Sequence, residues 1–238
     1  MAATPPYERI VFDCDSTLTG IEGVDELPSA DRDEIARLTR DAMEGRVPLE
    51  QIYGRRLELI RPTRDDVARV GSRYIEKAMP QSRGVLAALR SLGKELRIVS
   101  GGLHFAVASF GRWLGVTDAG VDAVRVSFDS TGRFLGYDEH SPLTRSDGKR
   151  DVLAALPPKK TAFVGDGVTD ARARDVIDTF ICYAGVVRRE DVAAVADVVV
   201  EGPDYGALLP VLCTQHELDL LRRDPRHAAV VPESGALP

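Results

Sequence analysis

Five short apolar runs, each breaking at once into small or polar residues, constrain this chain more than any other feature. They read RIVFDCD at 9–15, LRIVSGG at 96–102, TAFVGDG at 161–167, FICYAG at 180–185 and ADVVVEG at 196–202. Such runs suit strands buried on both faces, and helical segments separate most of them, which predicts an α/β fold with an open parallel, Rossmann-like sheet and helices on both faces. In such a sheet ligands bind beyond the carboxyl ends of the strands, where crossovers depart in opposite directions. The polar residues that end the runs fall on that edge, so Asp13, Asp15, Ser100 and Asp166 are expected to converge although they lie far apart in sequence.

Residues 14–99 separate the first two strand ends, whereas a parallel crossover needs only about a dozen residues. An insertion is therefore expected after the first strand. Helical segments are read at 31–45, 48–60 and 63–77, with Asp31 and Glu34 as a capping box, Pro48 in a first turn and Thr63 as an N-cap. Residues 20–79 are read as a small helical cap, and 81–93 as the crossover helix, stopped by Gly93. DAVRVSFDSTGRFLGY at 122–137 alternates around a Ser-Thr-Gly turn and predicts a hairpin. The catalytic core is expected at 1–19 and 80–221, and residues 222–238, with two prolines and no clear period, are read as a loose tail.

Composition mainly excludes. A formal net charge of -6 argues against a protein devoted to nucleic acid or to an anionic membrane. Cys14, Cys182 and Cys213 are too few and too scattered for a disulfide framework or a zinc site. The opening residues MAATPPYERI carry neither a basic nor an apolar leader segment, and no apolar run approaches membrane-spanning length, so a cytoplasmic protein is expected. His104, His140, His216 and His227 have no metal spacing, and Trp113 with Phe105 and Phe110 reads as helix packing.

The chemistry lies at the strand ends. Asp13 and Asp15 would repel each other in one crevice unless a cation sits with them. Asp13, Asp15 and Asp166 supply hard oxygen ligands of the kind Mg²⁺ takes together with waters and a substrate phosphate. Ser100 and Lys149 add a hydroxyl and an ammonium, and Gly101 and Gly102 let backbone N–H groups approach an oxyanion. Taken singly, each motif also fits a turn, a helix cap or a solvated lysine; taken together they describe a phosphate site.

These residues carry a resemblance. DCDST at 13–17, Ser100 in IVSGG, Lys149 and GDGVTD at 165–170 follow the order and setting of the four motifs of the haloacid dehalogenase superfamily of Mg²⁺-dependent phosphohydrolases. DSTLTGIEGVDEL at 15–27 resembles the first loop of the phosphoserine phosphatase branch, and AMEGRVPLEQIYGRRLELIRPT at 42–63 is similar to its cap helices. The resemblance implies Asp13 as a nucleophile that forms an aspartyl-phosphate, and Asp15 as the acid and then the base. It implies metal ligation by the Asp13 and Asp166 side chains and the Asp15 carbonyl, with Asp170 nearby or acting through water. Ser100, Gly101 and Lys149 would hold phosphate, while Glu22 would take a substrate ammonium, Arg56 a carboxylate, and Met43 would pack beside them. Two positions depart from the pattern: Thr169 stands where Asn is common, and Leu49 where a bulky aromatic often gates the cap.

The expected activity is hydrolysis of L-phosphoserine to L-serine and phosphate. The alternatives are the same chemistry on another small phosphomonoester, or phosphoryl transfer to an alcohol. A receiver-type signalling domain also groups acids, a hydroxyl and a lysine around Mg²⁺, but Asp15 beside the nucleophile and a sheltering cap count against it. A silent binding relative would have to keep all four motifs intact.

Overall fold

Strand β1 (Arg9–Phe12) is buried along its whole length because it has a neighbour on each side. The computed structural model describes residues 6–233, with Met43 described by its backbone alone. The other strands of the main sheet are β2 (Glu95–Leu103) and β3 (Val121–Val124), followed, after the hairpin strands β4 (Val126–Phe128) and β5 (Phe134–Tyr137), by β6 (Thr161–Gly165), β7 (Thr179–Ala184) and β8 (Val198–Glu201). All neighbours in the six-stranded sheet are parallel, in the order β3-β2-β1-β6-β7-β8.

That order sets the position of the site. From β1 the chain steps outward to β2 and β3, then returns to the other side of β1 at β6 and steps away through β7 and β8. The switch point is therefore at β1. Phe12 pairs with Ile98 of β2 and Val164 of β6, so Asp13, Ser100 and Asp166 all lie just past the same level of the sheet.

Between β1 and β2 lie α1 (Arg32–Met43), α2 (Leu49–Ile60), α3 (Arg64–Glu76) and α4 (Ser82–Ser91). Helix α5 (His104–Leu114) leads to β3, and α6 (Gly148–Ala154), α7 (Val168–Ala171) and α8 (Glu190–Val195) flank β6 and β7. Helices α4 and α5 pack on each other and on β2, and α6, α7 and α8 pack in sequence beside β6 and β7; the right-handed rule for parallel crossovers sets the two groups on opposite faces. The short α9 (Leu209–Leu212) and α10 (Gln215–Arg223) follow β8. Among the described residues no helix is long and apolar enough to cross a membrane.

The insertion joins the sheet through a paired neck. Thr19 bridges Ala78, Gly20 N donates to Lys77 O at 2.9 Å, and Met79 N donates to Leu18 O at 2.9 Å. Leu38, Ala42 and Ile52 form a small apolar cluster between α1 and α2, whereas Val67, Val70 and Tyr74 of α3 belong to the main core. Helix α3 thus ties the insertion to α5 and the sheet.

Four local expectations are corrected. The segment expected as a hairpin at 122–137 divides: residues 121–124 pair with β2 as the sheet edge, and only β4 and β5 form the hairpin. Alternating apolar residues suit either partner, so the pattern could not separate them. Asp31 makes no side-chain cap bond, and Glu34 turns outward to Arg37 and Arg55. The cap at Thr63 is made as expected, with Asp66 as its reciprocal partner. Residues 222–233 are not loose: α10 runs to Arg223, and a short 3-10 turn at Ala228–Val230 precedes the buried Val231, with His227 buried beside it. Phe105 is 48% exposed, so the Trp113 stack is with Phe110 alone.

Candidate active site

After Phe12 the chain curls tightly. The Cys14 carbonyl accepts from Leu18 N at 2.9 Å and Thr19 N at 3.2 Å, and Ser16 takes a left-handed φ of 51°. That turn lets two carboxylates one residue apart face one crevice instead of opposite sides of a strand. The Asp13 Oδ1 atom accepts from Cys14 N at 2.7 Å and pairs with Lys149 Nζ at 2.7 Å, which leaves Oδ2 for chemistry. Strand β2 continues past Ser100 to Leu103, with a register shift between Val99 and Leu103. The bulge re-aims Ser100, Gly101 and Gly102 toward Asp13 and Asp15. Gly102 N donates to Ser100 Oγ at 2.9 Å, and both Gly101 and Gly102 line the crevice.

The acids form a network. Lys149, at the start of α6, reaches Asp170 Oδ1 at 2.6 Å as well as Asp13. Asp170 Oδ2 accepts from Gly167 N at 2.9 Å and Asp166 N at 3.2 Å, so both its oxygens are committed to holding the GDGVTD turn and the lysine. Thr17 Oγ1 donates to Asp166 Oδ1 at 2.7 Å, and the Arg189 guanidinium pairs with Asp166 Oδ2. Thr169 is buried at the crevice wall.

Electrostatics show what the cluster lacks. Burial raises the Asp13 pKa well above the usual carboxylate range, and Asp170 raises it further while Lys149 opposes. Burial likewise raises Asp166 to about 6 despite Arg189. For Lys149 burial favours the neutral amine, yet Asp13 and Asp170 outweigh it and keep the ammonium charged. Carboxylate oxygens of Asp13, Asp166 and Asp170 can all lie within 4.8 Å of one another, and Asp15 adds a further acid beside them. Among the described residues only Lys149 and Arg189 pair with the buried three, so the group is two positive charges short of neutral when all four acids are ionised. A hard divalent cation fits that deficit and that all-oxygen donor set. Asp170, expected near the metal or acting through water, groups with Asp13 and Asp166 through its side chain.

The Asp15 side chain turns away from that cluster. Its Oδ1 atom accepts from Gly23 N and from Tyr74 Oη, each at 2.7 Å. Burial raises its pKa, and these two donors act against the shift.

The crevice is small, with a cavity volume of about 60 Å³. Glu22 and Arg56 line it together with Asp13, Asp15 and Lys149. Glu22 accepts from Ser16 Oγ at 2.6 Å, and burial with Asp15 and Asp166 nearby raises its pKa to about 8. Arg56 is buried on α2, 5.5 Å over the Tyr53 ring. Its Nη1 donates to Thr39 Oγ1 at 3.1 Å, Thr39 donates on to Asp25 Oδ1 at 2.7 Å, and its Nε is buried without an acceptor among the described residues. Burial lowers the Arg56 pKa, with Tyr53, Asp25 and Glu22 opposing. Arg56 lines the crevice, and a buried guanidinium there suits an anion. Leu49 also lines the crevice, and the expected Met43 contact falls on a side chain outside those described.

The fold thus brings Asp13, Asp15, Ser100, Gly101, Lys149, Asp166, Thr169 and Asp170 to one sheet edge, with Glu22 and Arg56 lining the same crevice. Sequence reasoning missed Thr17, Arg189, Tyr74, Thr39 and Asp25. Arg189 follows the carboxyl end of β7, and the strand-end rule that found Asp166 points there too. Tyr74 and Thr39 lie on helices of the insertion, where nothing local distinguishes them from core residues.

The chain is similar to known proteins in sequence and in fold. The profile of the haloacid dehalogenase-like hydrolases matches residues 7–174. The chain is 36% identical over 205 residues to the chloroplastic phosphoserine phosphatase of Arabidopsis thaliana, covering 81% of this chain and 68% of that one. It is 33% identical over 191 residues to the phosphoserine phosphatase of Homo sapiens, covering 78% and 85%. Among solved structures, a substrate-bound phosphoserine phosphatase complex superposes with a TM-score of 0.75 at 23% identity, over 86% of this chain and 98% of that one. A phosphoserine phosphohydrolase-like protein from Francisella tularensis gives 0.74 at 24% identity, over 81% and 94%. These two structures share the fold.

Proposed function

The chain belongs to the haloacid dehalogenase-like hydrolase family and is a phosphoric monoester hydrolase, and from that premise we propose that it hydrolyses L-phosphoserine to L-serine and phosphate, with Mg²⁺ as cofactor and an aspartyl-phosphate on Asp13. The observation that carries this reading is one crevice lined by two sets of groups. Asp13, Asp15 and Lys149 suit a phosphate, and Glu22 and Arg56 suit an ammonium and a carboxylate. A substrate that satisfies both sets carries phosphate, ammonium and carboxylate on a short frame. The named activity of its relatives supports the same choice.

In this reading residues 20–79 act as a cap over the sheet edge, and Asp13 Oδ2 attacks phosphorus in line with the serine oxygen. The P–O bond to serine breaks as Asp15 passes its proton to the leaving alkoxide. Asp15, now a carboxylate, then takes a proton from water; the resulting hydroxide attacks phosphorus, and the bond to Asp13 breaks to release phosphate. Lys149, Ser100 and the Gly101 amide hold the non-bridging oxygens while charge redistributes among them. Asp13 and Asp166 side chains with the Asp15 carbonyl would hold the metal. When bound it supplies positive charge that offsets the phosphate and screens it from the attacking carboxylate. Glu22 takes the ammonium and Arg56 the carboxylate, with Met43 beside them; the planar guanidinium fork suits a carboxylate better than a lysine would.

Chelation is expected to abolish phosphate release from L-phosphoserine and Mg²⁺ to restore it. An acid-quenched reaction, digested and analysed by mass spectrometry, should show one phosphoryl group on the peptide bearing Asp13. Full turnover in chelator, or the phosphoryl group on another residue, would count against the proposal.

A further inference from the structure

Asp15 has two carboxylate oxygens, and the structure treats them differently. Oδ1 accepts from two donors, Gly23 N and Tyr74 Oη, each at 2.7 Å. Oδ2 faces the opposite way: a Cβ built on Gly102 would lie 3.3 Å from it and 3.1 Å from Ser100 Oγ. The doubly bonded oxygen therefore points into the insertion, and the other toward the phosphate-binding turn of β2. A carboxylic acid carries its proton on the oxygen that is not already accepting two hydrogen bonds, so this arrangement directs the proton to the reactive side.

Tyr74 comes from α3, whose apolar face joins the main core. Its ring is buried and packs 5.6 Å from that of Phe110 on α5, which fixes the hydroxyl from behind. Access depends on Gly23. A Cβ there would sit 1.9 Å from Tyr74 Oη, so only glycine lets the tyrosine reach Asp15 at this point. The hydroxyl, the glycine amide and the carboxylate thus form one unit built from the strand-end loop and an insertion helix.

We infer that Tyr74 is a positioning residue for proton transfer by Asp15, holding Oδ1 so that Oδ2 presents its proton to the leaving alcohol. The inference rests on the reading of Asp15 as the acid. Tyr74 touches neither phosphate nor leaving group, and its effect should grow with the leaving group's need for a proton. An alkoxide needs one to depart, whereas a nitrophenolate does not.

The test is Tyr74→Phe, which keeps the ring and the packing, assayed as kcat/KM on L-phosphoserine and on p-nitrophenyl phosphate, with Asp15→Asn on the same pair. Because kcat/KM covers steps only through departure of the alcohol, later hydrolysis of the phospho-enzyme does not blur it. Tyr74→Phe is expected to lose about tenfold to fiftyfold on L-phosphoserine and less than about threefold on the aryl ester, a loss below the ~10²–10⁴-fold typical of removing the acid itself. Gly23→Ala should give the same selective loss, because it displaces the hydroxyl without altering Tyr74. Selective loss in Asp15→Asn with equal or no loss in Tyr74→Phe would overturn the inference and keep Asp15 as the acid. If Asp15→Asn fails to discriminate between the esters, the acid assignment falls and this inference with it.

Discussion

Asp13→Asn is expected to fold normally and to release phosphate at least about 10⁴-fold more slowly than the unaltered protein, the scale of loss seen when a covalent nucleophile is removed. The geometry explains both halves. An amide oxygen at Oδ1 still accepts from Cys14 N and Lys149, each at 2.7 Å in the present structure, so the turn and the lysine stay in place. Losing one negative charge relieves repulsion from Asp170 and Asp166, and Lys149 keeps its pair with Asp170 at 2.6 Å. Stability by denaturant titration should therefore change by less than about 1 kcal/mol, the ordinary range for a substitution that breaks no network. What disappears is the carboxylate that attacks phosphorus. Turnover within tenfold of the unaltered protein would remove Asp13 from the nucleophile's place.

Arg56→Ala should produce a loss that depends on the substrate. With its Nη1 anchored through Thr39 to Asp25, the guanidinium is held at the crevice lining before any ligand arrives. A bidentate, charge-assisted pair in so sheltered a place contributes about 2–5 kcal/mol when one partner is removed. The expected loss in kcat/KM on L-phosphoserine is about a hundredfold or more, against about threefold or less on phosphoethanolamine, which lacks the carboxylate. Arg56→Lys should recover only part, since a point charge cannot reproduce the fork. Equal losses on the two substrates would show that the arginine supports the fold of α2 and not the carboxylate.

The parts of this molecule that could be read from sequence are those whose physics is local. Buried parallel strands must be apolar throughout, so RIVF, TAFVG and TFICYA announced β1, β6 and β7, and their order of appearance with polar ends announced the site edge. Thr63 announced the start of α3 because a cap is made between neighbours in sequence; its partner Asp66 came from the structure. Other features are set by packing at long range. Residues 121–124 leave the expected hairpin because β2 offers an unpaired edge, which no alternation of DAVRVSF reveals. Asp31 loses its expected partner because Glu34 finds Arg55 on α2. Residues 224–233 read as featureless, yet a close contact between Val230 and Gly84 on α4 holds them to the core. Tyr74 meets Asp15 across 59 positions, and Arg189 meets Asp166 across 23. The motifs found the reacting groups; the groups that orient them emerged only in three dimensions.

The most direct test of the account is the specificity profile: kcat/KM for phosphate release, with Mg²⁺ present, on L-phosphoserine beside phosphothreonine, phosphoethanolamine, 3-phosphoglycerate and an aryl phosphate. A crevice lined by both the phosphate groups and the Glu22 and Arg56 pair predicts a preference of about a hundredfold or more for L-phosphoserine, on the order of 3 kcal/mol. A flat profile, or turnover of the aryl ester alone, would contradict the pairing of Glu22 and Arg56 with an amino-acid substrate.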